Sequence, residues 1–554
     1  MAAAERGARM MGQMNGRGIA RLIAATLILH LVLVQPNHPD ALSWGALLLF
    51  PLELPVLIFA LLALGAGRAG RVFRWGVTVA LSVIVVLKAA DFVSFTALSR
   101  GFNPVSDLAL VDAFVRLLVG AIGPFLAVLV CVAALVGIVL LAIAIWWATG
   151  VWARVSVPRA VTRVSGGLAV VAAVIAAAEI GQAMRVWALP VTPPGAAFTA
   201  RVGVERVIMV RDTLRELRAF RSAMADDPYR GRADLLDRID RDVVVIFVES
   251  YGRASLDTPL YADLHRGTLA RYQALLEEAG LTLRSGILSA PTRGGQSWLS
   301  HATFANGLWI NDQIRYGAAL SSGREGLFHH AAQNGFQTAV VMPQITLDWP
   351  EVERMGFQTV LVAEDLGYEG LPFNWVTMPD QFTLAALDRL VRDGAEDPLF
   401  VQVALASSHA PWVPVPQVLP WDAIGDGQIY NEVAMSGDPP EVVWRDRDRV
   451  RAQYRLAVDY SLRSVMEYAL LHADDPPLLL VIGDHQAAEF VALDDRPDVP
   501  IHVIGPARLV DPLAEIAPTG GLLPGDDVPV IPMDRLRDIL LNVYTTQPIQ
   551  GVAE

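Results

Sequence analysis

Long apolar stretches constrain this chain before anything else does. Five lie in the first two hundred residues, at about 18–35, 42–66, 75–97, 119–148 and 164–188. A helix needs ~20 residues to cross a hydrocarbon core of ~30 Å, so each has the length, or nearly the length, of a membrane span. The first is short enough to pass for a signal peptide. No small-residue cleavage site follows it and four more stretches do, so it reads as a retained helix. Arginines flank alternate loops: Arg6, Arg9, Arg17 and Arg21 before the first stretch, Arg68, Arg71 and Arg74 after the second, Arg154, Arg159 and Arg163 after the fourth. The positive-inside rule then puts the N-terminus in the cytoplasm and, after five crossings, everything beyond about 190 outside.

Charge divides at the same place. The 44 basic and 57 acidic residues split as 14 against 7 up to residue 200 and 30 against 50 after it. An acidic, arginine-using second part argues against a nucleic-acid partner. Cys131 is the only cysteine and lies in an apolar stretch, so no intrachain disulfide can form. Within the stretches, Glu53 stands between Pro51 and Pro55, which should break or kink the second one. Lys88 precedes Asp91 by three residues and shares its helix face, as a structural ion pair or a headgroup contact. Pro190 to Gly195 reads as a linker, and 201–222 as a helix, either amphipathic on the membrane surface or a plain connector. The resulting division is a transmembrane domain over 1–189, a linker and juxtamembrane helix over 190–239, and an outer domain over 240–554.

In the outer domain, β-type runs alternate with helical patterns. Strands are expected near 243–248, 281–288, 338–342, 399–405, 478–482 and 501–504, with helices near 263–279 and 449–472. Such alternation predicts a helix-covered, largely parallel sheet, whose ligands collect at the carboxyl ends of its strands. Four polar groups fall at those ends. Glu249 closes the run Val243–Val248, as a solvated strand end or as a metal or catalytic group. Ser289-Ala-Pro-Thr292-Arg-Gly-Gly-Gln-Ser297 carries a Gly-Gly turn before a helix; Ser297 is either its N-cap or a nucleophile aided by the helix dipole. Ser407-Ser-His409-Ala-Pro-Trp412 follows the fourth strand, and Gly483-Asp484-His485 the fifth. An adjacent Asp and His offer oxygen and nitrogen ligands suited to Zn²⁺ or Mn²⁺.

The order Glu, Ser or Thr, His, Asp-His on successive strand ends resembles the alkaline-phosphatase superfamily. Within it, the chain is most similar to the membrane-anchored branch of lipoteichoic acid synthases and phosphoethanolamine transferases. The resemblance covers the whole plan, from five spans through a linker to a sulfatase-like domain. It implies a metal held by Glu249, Ser297, Asp484 and His485, with Ser297 as nucleophile and His409 as the substrate-binding histidine. It further implies a cell-envelope phosphotransferase of the inner membrane with its catalytic domain on the periplasmic or extracellular side. That enzyme would move a phosphoglycerol or phosphoethanolamine headgroup from a phospholipid, through a covalent phospho-Ser/Thr intermediate, to a glycan or lipid acceptor. Near Trp349 the family contacts substrate, although the match around Leu347–Glu351 is loose; Asp380 looks family-like as a helix cap.

Two departures qualify the resemblance. Phosphoethanolamine transferases usually carry disulfides in this domain, and this chain has none; the family nucleophile is usually Thr. Ser289-x-Pro-x-Arg293 matches the core that sulfatases modify. Ser297, however, has the ten-residue spacing to a helix-ending glycine, Gly307, that the sulfatase nucleophile shows. Thr292 is the second choice. A phosphatase or sulfatase acting on soluble esters and a non-catalytic envelope binding protein are the alternatives.

Overall fold

The computed structural model describes residues 16–98, 100–191, 193–374 and 377–547, so Arg6, Arg9 and Thr192 of the linker lie outside the described residues. The chain divides into two compact units between Glu216 and Leu217.

In the first unit, α1 (Gly16–Val34), α3 (Arg68–Leu98), α5 (Pro124–Ala153) and α6 (Arg159–Ala183) are long and apolar. Among the described residues these four helices have the length and composition to cross a membrane. Residues such as Leu135, Val128 and Leu140 on α5 are exposed, a surface that water would disfavour and lipid would not. The second expected span differs. Its apolar run splits into a short turn of helix, Trp44–Leu48, and α2 (Glu53–Leu64). The 12 residues of α2 reach only ~18 Å, short of a bilayer core. Pro51 is the physical reason: it has no N–H to continue the helix, and it biases Phe50 toward extended backbone. The broken backbone is not left unpaired. Leu52 N donates to Ala196 O at 3.1 Å, and Ala196 N to Phe50 O at 3.1 Å.

The remaining helices of this unit are α4 (Leu110–Ile122) and α7 (Phe198–Ala225), which runs on into the second unit. The polar residues of the spans hold the start of α7. Glu179 Oε2 accepts from Ala197 N at 2.9 Å and Glu53 Oε1 from Ala200 N at 2.8 Å, supplying acceptors to amides that have none within a helix's first turn. Lys88 and Asp91 do not pair with each other. Lys88 Nζ donates to Thr199 Oγ1 at 2.6 Å, while Asp91 takes Arg206, Asn37 Nδ2 at 3.0 Å and the Phe102 amide at 2.9 Å.

The second unit is built on a nine-stranded sheet. In chain order its principal elements are β1 (Val243–Val248), α8 (Pro259–Glu278), β2 (Thr282–Ser289), α9 (Ser297–Asn306), β3 (Gln337–Met342), β4 (Thr359–Val362) and α10 (Asp380–Leu387). There follow β5 (Leu399–Ala404), α11 (Arg447–Leu471), β6 (Leu478–Gly483), β7 (Asp498–Gly505), β8 (Thr519–Gly520), β9 (Val530–Pro532) and α12 (Leu536–Val543). The strand order is β4-β3-β5-β1-β6-β7-β2-β8, with β9 beside β2. From β4 through β6 the sheet is parallel; β7 is antiparallel to both β6 and β2. Two reversals leave β2 running the same way as β6, so Ser289 ends at the same edge as Val248 and Gly483.

Every residue of β1 is buried, and the strand's alternation sorts them between two cores. Val244, Ile246 and Val248 face α8 and α11. Val243, Val245 and Phe247 face α9 and α12. At ~1.5–3 kcal/mol per buried aliphatic side chain, this central strand fixes the register of the sheet edge that follows it.

Candidate metal centre and active site

Glu249 continues β1 by one residue, on the face of Phe247, and Asp484 and His485 follow β6 directly. Parallel pairing of Val248 with Gly483 therefore sets the three side by side. All are buried, and one ligand atom from each lies within 4.8 Å of the others. The loops close tightly because glycines stand where they touch. A Cβ on Gly252 would come within 1.6 Å of Gln486 Oε1, and one on Gly483 within 1.9 Å of Tyr251 O. Asp484 Oδ1 accepts from the amides of Ser250 at 2.8 Å and His485 at 2.6 Å.

The electrostatics ask for a cation. Burial raises the Asp484 carboxyl well above its usual range, and the neighbouring Glu249 adds to this. Burial would also raise Glu249, but His485, helped by His409, holds it well below that range. Burial works to lower His485, yet Asp484 and Glu249 push it up to about 9. Two carboxylates sharing one dry site cannot both ionise without positive charge between them. His485 Nε2 lies 2.9 Å from Glu249 Oε1 but has no partner in hydrogen-bonding geometry. Its other nitrogen, Nδ1, faces the Gln486 carbonyl at 3.0 Å, the outer contact that orients a metal-ligating imidazole. The donor set fits a divalent metal, which His485 Nε2 and the two carboxylates could hold.

The loop after β2 joins this cluster through backbone. Arg293 bridges to Gln486, and Gly294 N donates to Gln486 O at 2.7 Å. The chain then turns through Gln296, left-handed at φ 66°, into α9, which ends at Gly307, also left-handed. Gln296 is the N-cap residue and makes no side-chain cap. Ser297 is thus the first helical residue, which removes the N-cap reading. Phe304 and His301 both rest on the Phe247 ring, at 5.7 and 4.2 Å between centroids. Ser297 lies on the same helical stripe, at i against i+4 and i+7, and Glu249 is the next residue beyond Phe247 on that sheet face. Thr292 is differently engaged, its hydroxyl donating to Gly295 O at 2.8 Å.

His409 is exposed, with Nδ1 2.6 Å from Ala410 O. Its loop is tied to the cluster by Ser408 Oγ, which donates to Glu249 O at 2.6 Å. Asp380 is no simple helix cap. It is fully buried, and its Oδ1 accepts from the Ala406 and Ser407 amides, each at 2.8 Å, so it pins the His409 loop. Trp349 packs partly buried beside Val340, Met342 and Ala404.

Backbone conformation marks the same places. Ser250, Gln296 and Trp412 adopt φ of 56°, 66° and 61°, a region costing a non-glycine residue ~1 kcal/mol or more. They flank Glu249, Ser297 and His409. Sequence reasoning did not single out His301 or Ser408; for His301 the available signal was its place one helical turn after Ser297.

Residues 241–491 match the sulfatase family. No curated protein matches the chain. The integral membrane lipooligosaccharide phosphoethanolamine transferase A of Neisseria meningitidis is similar over 96% of this chain and 97% of its own, at 14% identity and TM-score 0.48. The lipoteichoic acid synthase LtaP of Listeria monocytogenes is similar over 60% of this chain and 78% of its own, at 12% identity and TM-score 0.37. For the Streptococcus pyogenes phosphoglycerol transferase GacH, solved with sn-glycerol-1-phosphate, the shares are 59% and 80%, at 12% identity and TM-score 0.37. The family match runs from just before β1 to beyond His485 and so takes in every strand-end residue described above; residues 241–491 are accordingly a sulfatase-like domain.

Proposed function

We propose that this chain is a metal-dependent phosphotransferase of the bacterial cell envelope that takes a phosphoglycerol or phosphoethanolamine headgroup from a phospholipid. Ser297 is the nucleophile. The observation that carries this reading is a serine freed from capping duty at the N-terminus of α9, on the stripe that leads to Glu249. Glu249, Ser297, Asp484 and His485 are the metal ligands, and their mixed nitrogen and oxygen donors suit Zn²⁺ or Mn²⁺. A bound ion would supply Lewis acidity to the Ser297 hydroxyl and to a phosphoryl oxygen. Ser297 Oγ attacks phosphorus and gives up its proton, the bond to the diacylglycerol oxygen breaks, diacylglycerol leaves with a proton on that oxygen, and a phosphodiester joining the serine to the phosphoglycerol or phosphoethanolamine headgroup forms. His409, exposed at the mouth of the site, steadies the phosphoryl oxygens and protonates the leaving oxygen. A hydroxyl of an envelope glycan or lipid then attacks the phosphorus of this serine phosphodiester, takes the headgroup and regenerates Ser297; water in its place gives hydrolysis.

The chain is read as an inner-membrane protein with its catalytic domain outside. Although α2 is short, counting the interrupted 44–64 segment as a crossing keeps an odd number of passes, which agrees with the arginine-rich loops.

Intact-mass and peptide mass spectrometry after incubation with phosphatidylglycerol or phosphatidylethanolamine tests the reading. A phosphoglycerol or phosphoethanolamine adduct on Ser297 is expected, absent in Ser297→Ala and retained in part by Ser297→Thr. Full turnover by Ser297→Ala together with an inactive Thr292→Ala would move the nucleophile to Thr292 and overturn the assignment.

A further inference from the structure

His301 has no part in the chemistry just described, yet it occupies a costly position. It is 8% exposed, and its Nε2 has no hydrogen-bond partner. The ring lies on Phe247 at 4.2 Å, beside Phe304, where a phenylalanine or leucine would pack without burying an unpaired polar atom. Two facts say which way this group looks. Glu249 follows Phe247 by two residues, so the ring over Phe247 lies on the sheet face that leads to the metal-ligand cluster. The charged groups that act on His301 are Glu249 and His485.

Two imidazole nitrogens, one on His301 and one on His485, are thus buried without hydrogen-bond partners around the same carboxylate. For His485 the cation explains it. His301 does not belong to the set whose ligand atoms lie within 4.8 Å of one another, and groups on one ion must lie that close. Its place is one layer out, where outer contacts fix the orientation of ligands.

We infer that His301 is a positioning residue for the cation site, holding the Glu249 carboxylate through one water in the orientation that ligation requires. The inference rests on the proposed metal site. It makes α9 a two-part element: Ser297 faces the reaction, and the residue one turn later steadies the ligand beneath it. The stripe of 297, 301 and 304 then runs from chemistry through support to core.

The test measures metal affinity rather than activity. Full-length apo protein in detergent is titrated with Zn²⁺ against a chromophoric chelator, for wild type, His301→Phe and His301→Gln. Wild type binds one Zn²⁺ tightly. His301→Phe keeps the apo thermal transition and binds Zn²⁺ about 10- to 100-fold more weakly. His301→Gln, which restores a polar group of similar reach, recovers at least part of the loss. If His301→Phe does not fold, His301→Leu takes its place in the comparison. Wild-type affinity in the phenylalanine variant would overturn the inference while leaving the metal site standing, as would equal losses in the phenylalanine and glutamine variants. A wild-type protein that binds no Zn²⁺ or Mn²⁺ would overturn the metal site, and this inference with it.

Discussion

Replacing Asp380 by alanine strips the His409 loop of its internal support. The carboxylate accepts from two amides, Ala406 and Ser407, each at 2.8 Å, and from Ser461 Oγ at 2.5 Å, all buried. Alanine leaves both amides without partners. At ~1–3 kcal/mol for each unsatisfied buried donor, and with a small cavity besides, the loss is about 4 kcal/mol. Asparagine keeps the oxygen that serves both amides, and its Nδ2 donates to the Ser461 hydroxyl, which rotates to accept. It also relieves a charge. Burial raises the Asp380 carboxyl, against the hydrogen bonds from Ser461, Ser407 and Ala406. An acid with a raised folded pKa gains stability as pH falls through that pKa and loses it above. At pH 7 the ionised form is therefore a liability that asparagine does not share, and the expected cost of Asp380→Asn is about 1 kcal/mol or less.

Thermal unfolding of the full chain in detergent, followed by tryptophan fluorescence, reads the difference. For residues 217–554, ~2.1 cal/mol/K per residue gives about 0.7 kcal/mol/K, so 4 kcal/mol lowers the transition by about 6 °C. Amide exchange at 406 and 407 should accelerate in the alanine variant alone. Phosphoryl turnover should fall in that variant well below its transition temperature, because His409 is no longer held. An alanine variant within about 2 °C of wild type, with unchanged exchange at both amides, would refute the reasoning.

Two further outcomes are expected. His330 is fully buried with both ring nitrogens unpaired, and burial, with Arg537 adding, pushes it down to about 4. An imidazole with a lowered folded pKa is protonated first in the unfolded chain, so stability is full above about pH 6.5 and is lost toward pH 4, by about 2 kcal/mol at pH 5; His330→Phe should flatten the fall in transition temperature between pH 7 and 5, and an unchanged fall would refute this. A phosphatase reporter fused after Gly195 should be active and a cytoplasm-only reporter silent, the opposite pattern placing residues 200–554 inside and removing access to an external lipid acceptor.

Periodicity alone determined much of this protein. The all-apolar run at 243–248 read as a strand buried on both faces because a central parallel strand has no polar face to show, and the runs near 399–405, broken only by Gln402, and 478–482 read as further strands of the same sheet. Glu249 and the adjacent Asp484 and His485 were legible for a related reason, standing as the first polar residue and the first polar pair after such runs. The membrane helices were legible from length, except where Pro51 cut one into two. Pairing over long separations was not legible. That β7 and β2 run antiparallel, and that β2 returns to the edge carrying Glu249 and Asp484, depends on contacts between residues more than two hundred apart in sequence, which no local pattern encodes. Lys88 and Asp91, adjacent on one helix, looked like partners until the start of α7 supplied better ones in Thr199 and Arg206. Asp380, by sequence a helix cap, became the anchor of a loop only when the ends of α10 and β5 met. Ser297 stayed undecided in the same way. Its side chain was either a cap or a nucleophile by sequence, and the backbone turn at Gln296 decided that it does not cap, because a single left-handed residue shifted the start of α9 by one position.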